Sequence, residues 1–143
     1  MTVKRTLVVN VPADRIYPYL ADFETAKEWD SGTVRCNRTS GDGGVGTTYD
    51  NVSKFLGRET TLVYTVTALE PDRLIAWKGE NASVISDDTI TLSPSGTGTQ
   101  VTYLAEFTFN GFAKYLAPLL TPAVNKLGND TQKTLREALL RLA

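Results

Sequence analysis

The sequence contains no histidine, one cysteine and one methionine among its 143 residues. Without histidine, the chain cannot build Ser-His-Asp or Cys-His nucleophilic sites, and it lacks the usual general base near neutral pH. A zinc site would need carboxylates almost alone, so we expect no metal. Cys36 cannot form an internal disulfide, and a single cysteine is typical of a protein in the reducing cytoplasm. Any catalysis must therefore come from Asp, Glu, Tyr, Lys, Arg or Asn, or from the shape of a pocket.

The chain also lacks an excess of either charge and any long apolar run. Fifteen Lys and Arg residues oppose sixteen Asp and Glu residues, so no basic surplus is available for a phosphate backbone, and we expect no nucleic-acid partner. No apolar run approaches the roughly 20 residues of a membrane span. The N-terminal apolar stretch is too short for a signal peptide and favours a strand. The length predicts one domain over residues 1–143.

The order of the predicted elements is the most informative feature of the chain. A strand over residues 3–11 leads into a helical stretch over 13–29, which Pro18 should shorten or kink. Closely spaced turn signals then predict six strands in a row, too close for crossover helices. A long amphipathic helix over residues 112–142 ends the chain. This order predicts an α+β fold in which a curved antiparallel sheet of about seven strands wraps round the C-terminal helix, with two short helices after the first strand.

One apolar stripe follows the long helix at helical spacing. A helix of this length extends about 45 Å at 1.5 Å per residue, and only the concave face of the sheet offers enough apolar surface to cover it. A sheet wrapped round one helix often leaves a cavity, which predicts a pocket for a hydrophobic small molecule. A filled core is the alternative. The stripe comprises Phe112, Tyr115, Leu116, Leu119, Leu120, Ala123, Val124, Leu127, Leu135, Leu139 and Leu142.

Period-two alternation along the strands predicts which side chains face inward. The inward set is mostly aromatic and aliphatic with few polar groups, as in small-molecule pockets. Together with residues of the helices, it gives the candidate ligand-binding residues Trp29, Tyr49, Asn51, Ser53, Tyr64, Trp77, Asp88, Tyr103, Phe107, Phe109, Tyr115, Leu116, Leu119 and Leu120.

Three of these residues are also candidates for catalysis: Asp88, Tyr103 and Tyr64. An interior Asp88 would have a raised pKa and could serve as an acid or base. The alternative is that Asp87 and Asp88 only open a strand in solvent. Asp22 has a simpler interpretation, as the residue that ends a helix before Phe23.

The segment over residues 41–46 matches the GxGxxG pattern of dinucleotide-binding loops. That pattern requires a helix directly afterwards, whereas Thr47, Thr48 and Tyr49 favour a strand. We therefore predict a hairpin loop and no cofactor. Together with residues 111–122, which contain Pro118 and Pro122, this loop could form a mobile mouth of the pocket. A plain bend of the helix is the alternative.

The whole pattern resembles the START/polyketide-cyclase superfamily (SRPBCC, the helix-grip fold), and most of all its small bacterial polyketide cyclase/dehydratase-like branch. The segments that carry the resemblance span nearly the whole chain in order, at residues 9–13, 20–23, 28–30, 44–49, 64–71, 89–94 and 98–103. The resemblance implies a hydrophobic cavity under the C-terminal helix. It supplies no universal catalytic motif, because members range from aromatase/cyclases to lipid, sterol and hormone binders.

Three functions follow as hypotheses. The first is binding of a hydrophobic, ring-containing small molecule, with or without cyclase-like chemistry. The second is an interaction protein, as in co-chaperone or toxin-like members, in which the cavity is incidental; a contiguous exposed apolar patch would favour it. The third is a passive lipid carrier. The sequence leaves the oligomeric state open.

Overall fold

A seven-stranded antiparallel sheet forms the body of the computed structural model, which describes residues 1–143. The spatial order β1-β7-β6-β5-β4-β3-β2 places the first two strands at opposite edges. Successive strands from β2 to β7 are neighbours, as the hairpin spacing predicts. The strands are β1 (Thr2–Val9), β2 (Thr33–Ser40), β3 (Thr48–Phe55), β4 (Arg58–Glu70), β5 (Leu74–Glu80), β6 (Val84–Ser95) and β7 (Gly98–Phe109).

Three helices complete the fold: α1 (Ala13–Ala21), α2 (Ala26–Trp29) and α3 (Ala113–Leu140). A 3₁₀ turn at Phe23–Thr25 joins the first two, and the Asp22 carboxylate accepts a hydrogen bond from the Glu24 N–H at its start. The α+β helix-grip architecture is therefore confirmed. None of the helices combines the length and hydropathy needed to cross a lipid bilayer.

Alternation along the strands identified the inward faces correctly. In β7 the buried residues include Val101, Tyr103 and Ala105, and in β6 they include Asp88 and Ile90. Asp88 therefore belongs to the interior of a strand and does not open one in solvent. The row continues as predicted in the other central strands, with Leu62, Tyr64, Val66, Ile75, Trp77, Tyr49 and Asn51 all buried.

The C-terminal helix covers the sheet along only part of its length. From Val124 onward, α3 buries Gly128, Leu135 and Leu139 against the rest of the protein. Its first turns carry the apolar residues that the sequence assigned to the same buried stripe, and there the prediction is wrong. Those side chains are exposed: Phe112 (77%), Tyr115 (68%), Leu116 (41%) and Leu119 (77%). The physical reason is that helical spacing defines a shared face but does not supply a surface to cover it.

An aromatic cluster fills one half of the space beneath the sheet. The Phe23 ring lies 4.8 Å from the Trp77 ring and 4.8 Å from the Tyr64 ring, measured between centroids. Trp29 lies 6.3 Å from Trp77 on the other side. Such offset and tilted pairs add to the free energy gained from burial. The short helices α1 and α2 thus close this half of the sheet with side chains.

The contact between α3 and β1 depends on the absence of a side chain at Gly128. A Cβ at this position would lie 2.5 Å from Val3 Cγ1. We expect Gly128→Ala to destabilise the protein by about 1–3 kcal/mol through overpacking. In a Val3→Ala background the destabilisation should shrink, because the close contacts that remain, 3.1 and 3.2 Å to the Arg5 guanidinium, involve the end of a flexible side chain, and alanine favours the helix by about 1 kcal/mol over glycine. Urea unfolding of the four variants measures both values, and a destabilisation of equal size in both backgrounds would contradict this account of the contact.

Candidate ligand-binding cavity

The other half of the space beneath the sheet is open. A cavity of about 140 Å³ lies between the ends of β3 and β7, the starts of β4 and β6, and the middle of α3. For scale, a dry apolar cavity of about 150 Å³ accepts a benzene-sized molecule. Most of its wall is apolar and is formed by Val3, Phe55, Leu62, Val84, Ala105, Phe107, Phe109, Val124 and Leu127.

Six of the ligand-binding candidates line this cavity: Ser53, Tyr64, Asp88, Tyr103, Phe107 and Phe109. They come from two hairpins of the sheet, β3 with β4 and β6 with β7, and β5 lies between these pairs. The alternation that points each side chain inward brings them together at one end of the fold. All three catalytic candidates belong to this group.

Four other candidates lie in the packed half of the core. Trp29, Tyr49 and Trp77 join the aromatic cluster, and each is about 1% exposed. The buried Trp77 Nε1–H has no hydrogen-bond partner. Asn51 is also buried, and its amide donates to Thr33 Oγ1 at 3.0 Å. These residues face inward as predicted, but the short helices fill the space in front of them.

The four candidates on α3 do not reach the cavity either. Tyr115, Leu116 and Leu119 are exposed on its first turns, and Leu120 packs, half-buried, against the core. The cavity instead takes Val124, Leu127, Gly128 and Thr131 from the following turns. The sequence analysis therefore placed the part of α3 that lines the cavity about two helical turns too close to the N-terminus of the helix.

The polar groups of the cavity cluster round Asp88. Ser86 Oγ donates to Asp88 Oδ1 at 2.6 Å, and Tyr64 lines the cavity beside this pair. Asp88 is 6% exposed and forms no ion pair. Burial above all, with a smaller contribution from the Asp30 charge, raises its pKa to about 7 against the lowering effect of the Ser86 hydrogen bond. Asp88 can therefore gain and lose a proton near neutral pH.

Two phenols complete this cluster. Burial raises the pKa of Tyr64 and of Tyr103 well above the ordinary value, and the charge of Asp88 acts in the same direction. Both hydroxyls therefore stay protonated and can donate hydrogen bonds. With Ser86 they give a compact set of hydroxyl groups next to one carboxyl group.

Asp30 is a cavity residue that the sequence analysis did not select. Its carboxylate accepts hydrogen bonds from Gly32 N (3.1 Å), Thr33 Oγ1 (3.0 Å) and Thr131 Oγ1 (3.3 Å). Burial raises its pKa, and these three hydrogen bonds lower it. The only signal in the sequence was Asp-Ser-Gly-Thr, a pattern that indicates a turn closed by the aspartate side chain. The turn is present, and α3 lies across it.

A relay of side chains connects Asp30 to the far wall of the cavity. Ser53 Oγ donates to Asn51 Oδ1, Asn51 Nδ2 donates to Thr33 Oγ1, and Thr33 Oγ1 donates to Asp30. Asn51 does not line the cavity, but its hydrogen bonds fix the positions of Ser53 and Thr33.

The loop over residues 41–46 lies at the opposite end of the sheet. Gly46 N donates to Val66 O, where β4 approaches its end, whereas the cavity is bordered by Thr60 and Leu62 near the start of that strand. Leu62 and Thr60 precede Val66 by four and six residues, about 13 and 20 Å at 3.3 Å per residue, and none of residues 41–46 lines the cavity. The prediction that this loop borders the pocket mouth is therefore wrong. Its hairpin character is confirmed, because β3 follows at Thr48.

Comparison with known proteins agrees with this architecture. The family model described as "Polyketide cyclase / dehydrase and lipid transport" matches residues 1–143. No curated protein sequence matches the chain. Solved structures match over nearly its full length at low sequence identity, so they show a shared fold.

Three of these structures are representative. A Thermus thermophilus protein is 16% identical with a TM-score of 0.83, covering 100% of this chain and 99% of its own. The Zhui aromatase/cyclase of a Streptomyces species is 16% identical with a TM-score of 0.83, covering 99% of this chain and 94% of its own. A START superfamily protein of Mycobacterium smegmatis is 14% identical with a TM-score of 0.79, covering 99% of both chains.

The raised pKa of Asp88 makes stability depend on pH. The folded protein holds this proton more tightly than the unfolded chain, whose pKa is near 3.8. The free energy of unfolding should therefore fall as pH rises from about 4 to about 7, by at most about 1.4 kcal/mol per pH unit, and then level off. Asp88→Asn should flatten this slope, and Asp87→Asn, on the exposed face of β6, should keep it. Urea unfolding across this pH range measures the slopes, and equal slopes in both variants would contradict the prediction.

Proposed function

This chain belongs to the polyketide cyclase / dehydrase and lipid transport family, and from that membership and the cavity we propose that it binds a hydrophobic, ring-containing small molecule between the sheet and α3. The observation that carries the proposal is the composition of the cavity wall. Aromatic and aliphatic side chains form most of the wall and a few polar groups interrupt it, which is the usual makeup of a small-molecule site.

The cavity also contains the groups that a cyclase-like reaction would require. An apolar wall can fold a flexible polyketone-like substrate into a reactive shape, and such positioning is worth several kcal/mol, up to roughly 7–11 kcal/mol. Tyr64 and Tyr103 can donate hydrogen bonds to a carbonyl oxygen. Asp88, whose pKa is about 7, is suited to take a proton from the adjacent carbon. A passive carrier would use the same wall without chemical change, so turnover of an identified ligand separates these two forms of the proposal.

Native mass spectrometry of the freshly purified protein is the direct test of binding. We expect an extra mass of up to a few hundred daltons, from a ligand with one ring-sized part in the cavity and the remainder extending from it, and extraction then identifies its chemical class. Leu127→Trp should fill the cavity from α3 and weaken binding of the extracted ligand at least about tenfold, or about 1.4 kcal/mol. Leu140→Trp places the same ring on the exposed part of α3 and should leave affinity unchanged, since Leu140 is 48% exposed and away from the cavity.

The opposite results would remove the proposal. These are a clean apo mass together with no thermal shift across fatty acids, sterols and aromatic polyketides. Equal affinity of the two tryptophan variants for an extracted ligand would place that ligand elsewhere on the protein.

The exposed stripe of α3, formed by Phe112, Tyr115, Leu116 and Leu119, favours a second candidate function as an interaction surface. Positions three and four apart share one helical face, so the four side chains form one continuous apolar patch. Contiguous exposed patches of this kind mark binding surfaces in many proteins. In this reading the cavity is incidental to function.

The two candidates differ in what protects the amides of residues 111–122 from hydrogen exchange. If the stripe belongs to the cavity mouth, exchange should be fast in the free protein and should slow when ligand is added. If it is an interaction surface, a higher protein concentration should slow exchange without ligand, and Phe112→Ser combined with Leu119→Ser should abolish that effect. Val45→Ser, which removes another exposed apolar side chain, is the control. Slow exchange in dilute, ligand-free protein would contradict an open mouth.

A further inference from the structure

The polar groups of the cavity carry charge of one sign. Asp88 and Asp30 both line the cavity, and each raises the pKa of its neighbours through its negative charge. Neither carboxylate forms an ion pair, because the three salt bridges of the protein all lie on the surface. Asp30 accepts three hydrogen bonds and Asp88 accepts one, but neither has a cationic partner, and a buried carboxylate without one is costly to keep ionised. A cationic ligand would supply the missing partner.

An unpartnered side chain points independently to a ligand at this place. Tyr103 is 9% exposed and lines the cavity, yet its hydroxyl has no hydrogen-bond partner in the protein. Buried phenol groups nearly always have one. Asp88, Ser86 and Tyr64 line the same cavity as this free hydroxyl, so the cavity presents several acceptor oxygens.

The charged groups round the cavity do not neutralise the two acids. Lys54 is the only basic residue that borders it, and it is exposed at the outer end. The Arg5 side chain on β1 is directed to Asn125 and Asn129 on α3. The part of α3 that lines the cavity contributes Val124, Leu127, Gly128 and Thr131, none of which is charged. Asp87, next to Asp88 on β6, points to the opposite face.

We propose that the cavity selects a hydrophobic ligand whose inner polar end is an ammonium group, and that it discriminates against carboxylate ligands such as fatty acids. This inference rests on the proposed binding function and specifies the class of ligand. An ammonium group offers only donors, and the oxygens of Asp88, Asp30 and Tyr103 can accept them. A carboxylate in the same place would meet two like charges at low dielectric.

Three matched probes test the sign of this selection: 4-butylbenzylamine, 4-butylbenzyl alcohol and 4-butylbenzoate. They share a ring and a tail and differ in the charge of the polar end. By isothermal titration calorimetry near pH 8, we expect the amine to bind about tenfold tighter than the alcohol, and the benzoate about tenfold weaker, each step equal to about 1.4 kcal/mol. The preference for the amine over the alcohol should shrink as pH falls to about 5.5, because Asp88 then takes up a proton.

Variants assign the preference to the acids. Asp88→Asn and Asp30→Asn are close in shape to the native residues, and each should reduce the ratio of amine to alcohol affinity. Tyr103→Phe removes a hydroxyl without changing charge, so it should weaken amine and alcohol alike and leave the pH dependence of their ratio in place. A thermal melt verifies that each variant is folded, and the wild-type ratio alone already tests the proposal if one variant is not.

The outcomes separate this inference from the function on which it rests. If the alcohol binds and the amine binds no tighter, charge selection is wrong and the hydrophobic site stands. Tighter binding of the benzoate, or a preference unchanged in both asparagine variants, would also overturn the selection. If none of the three probes binds, both the selection and the hydrophobic site are contradicted for ligands of this size.

Discussion

One geometric constraint shapes this protein: a single helix cannot cover the concave face of a seven-stranded sheet. Seven strands about 4.8 Å apart span roughly 29 Å, whereas a helix with its side chains is about 10–12 Å wide. The remaining space has to be filled or left open, and this chain does both. Phe23, Trp29 and Trp77 fill the end beneath the short helices. At the other end no aromatic side chain crosses the gap between the sheet and α3, and the cavity remains.

The aromatic cluster that fills one half of the core also positions the polar groups of the cavity. Asp88 lies directly opposite Trp77 across β6 and β5, and Tyr103 lies 6.1 Å from the Trp29 ring between centroids. The acid and the phenol are thus held by the strands and by packed rings, and Asp88 is held in addition by its hydrogen bond from Ser86. Burial of Asp88 destabilises the folded protein at neutral pH, since its pKa is about 7. A sequence that retains such a group in its interior departs from the pattern of a purely structural core, and such departures are concentrated at functional sites.

The sequence predicted which side chains share a face of a strand or helix better than it predicted what each face packs against. Alternation with period two placed Tyr64, Asp88 and Tyr103 on one inner surface, because a strand in a sheet has only two sides. Helical spacing likewise found one stripe on α3, but nothing local says where along 28 residues the sheet begins to cover it. Asp30 was missed for a related reason. Its sequence neighbours indicate a turn, and its contact with Thr131 joins residues a hundred positions apart.

The open cavity and the exposed stripe on α3 are two consequences of the same incomplete contact. Phe107 and Phe109 at the end of β7 line one wall, Val124 and Leu127 line another, and the segment between them carries the uncovered Phe112 and Leu119. The part of the sheet that α3 leaves uncovered lies next to the part of α3 that packs against nothing. A small molecule in the cavity would bury apolar area of both the sheet and α3. Burial of apolar area is the ordinary source of hydrophobic binding energy, about 25 cal/mol per Å². Without a ligand, the segment that carries Phe112 and Leu119 can instead bury its apolar area against another protein. In that case alone the polar cluster round Asp88 would have no part in binding.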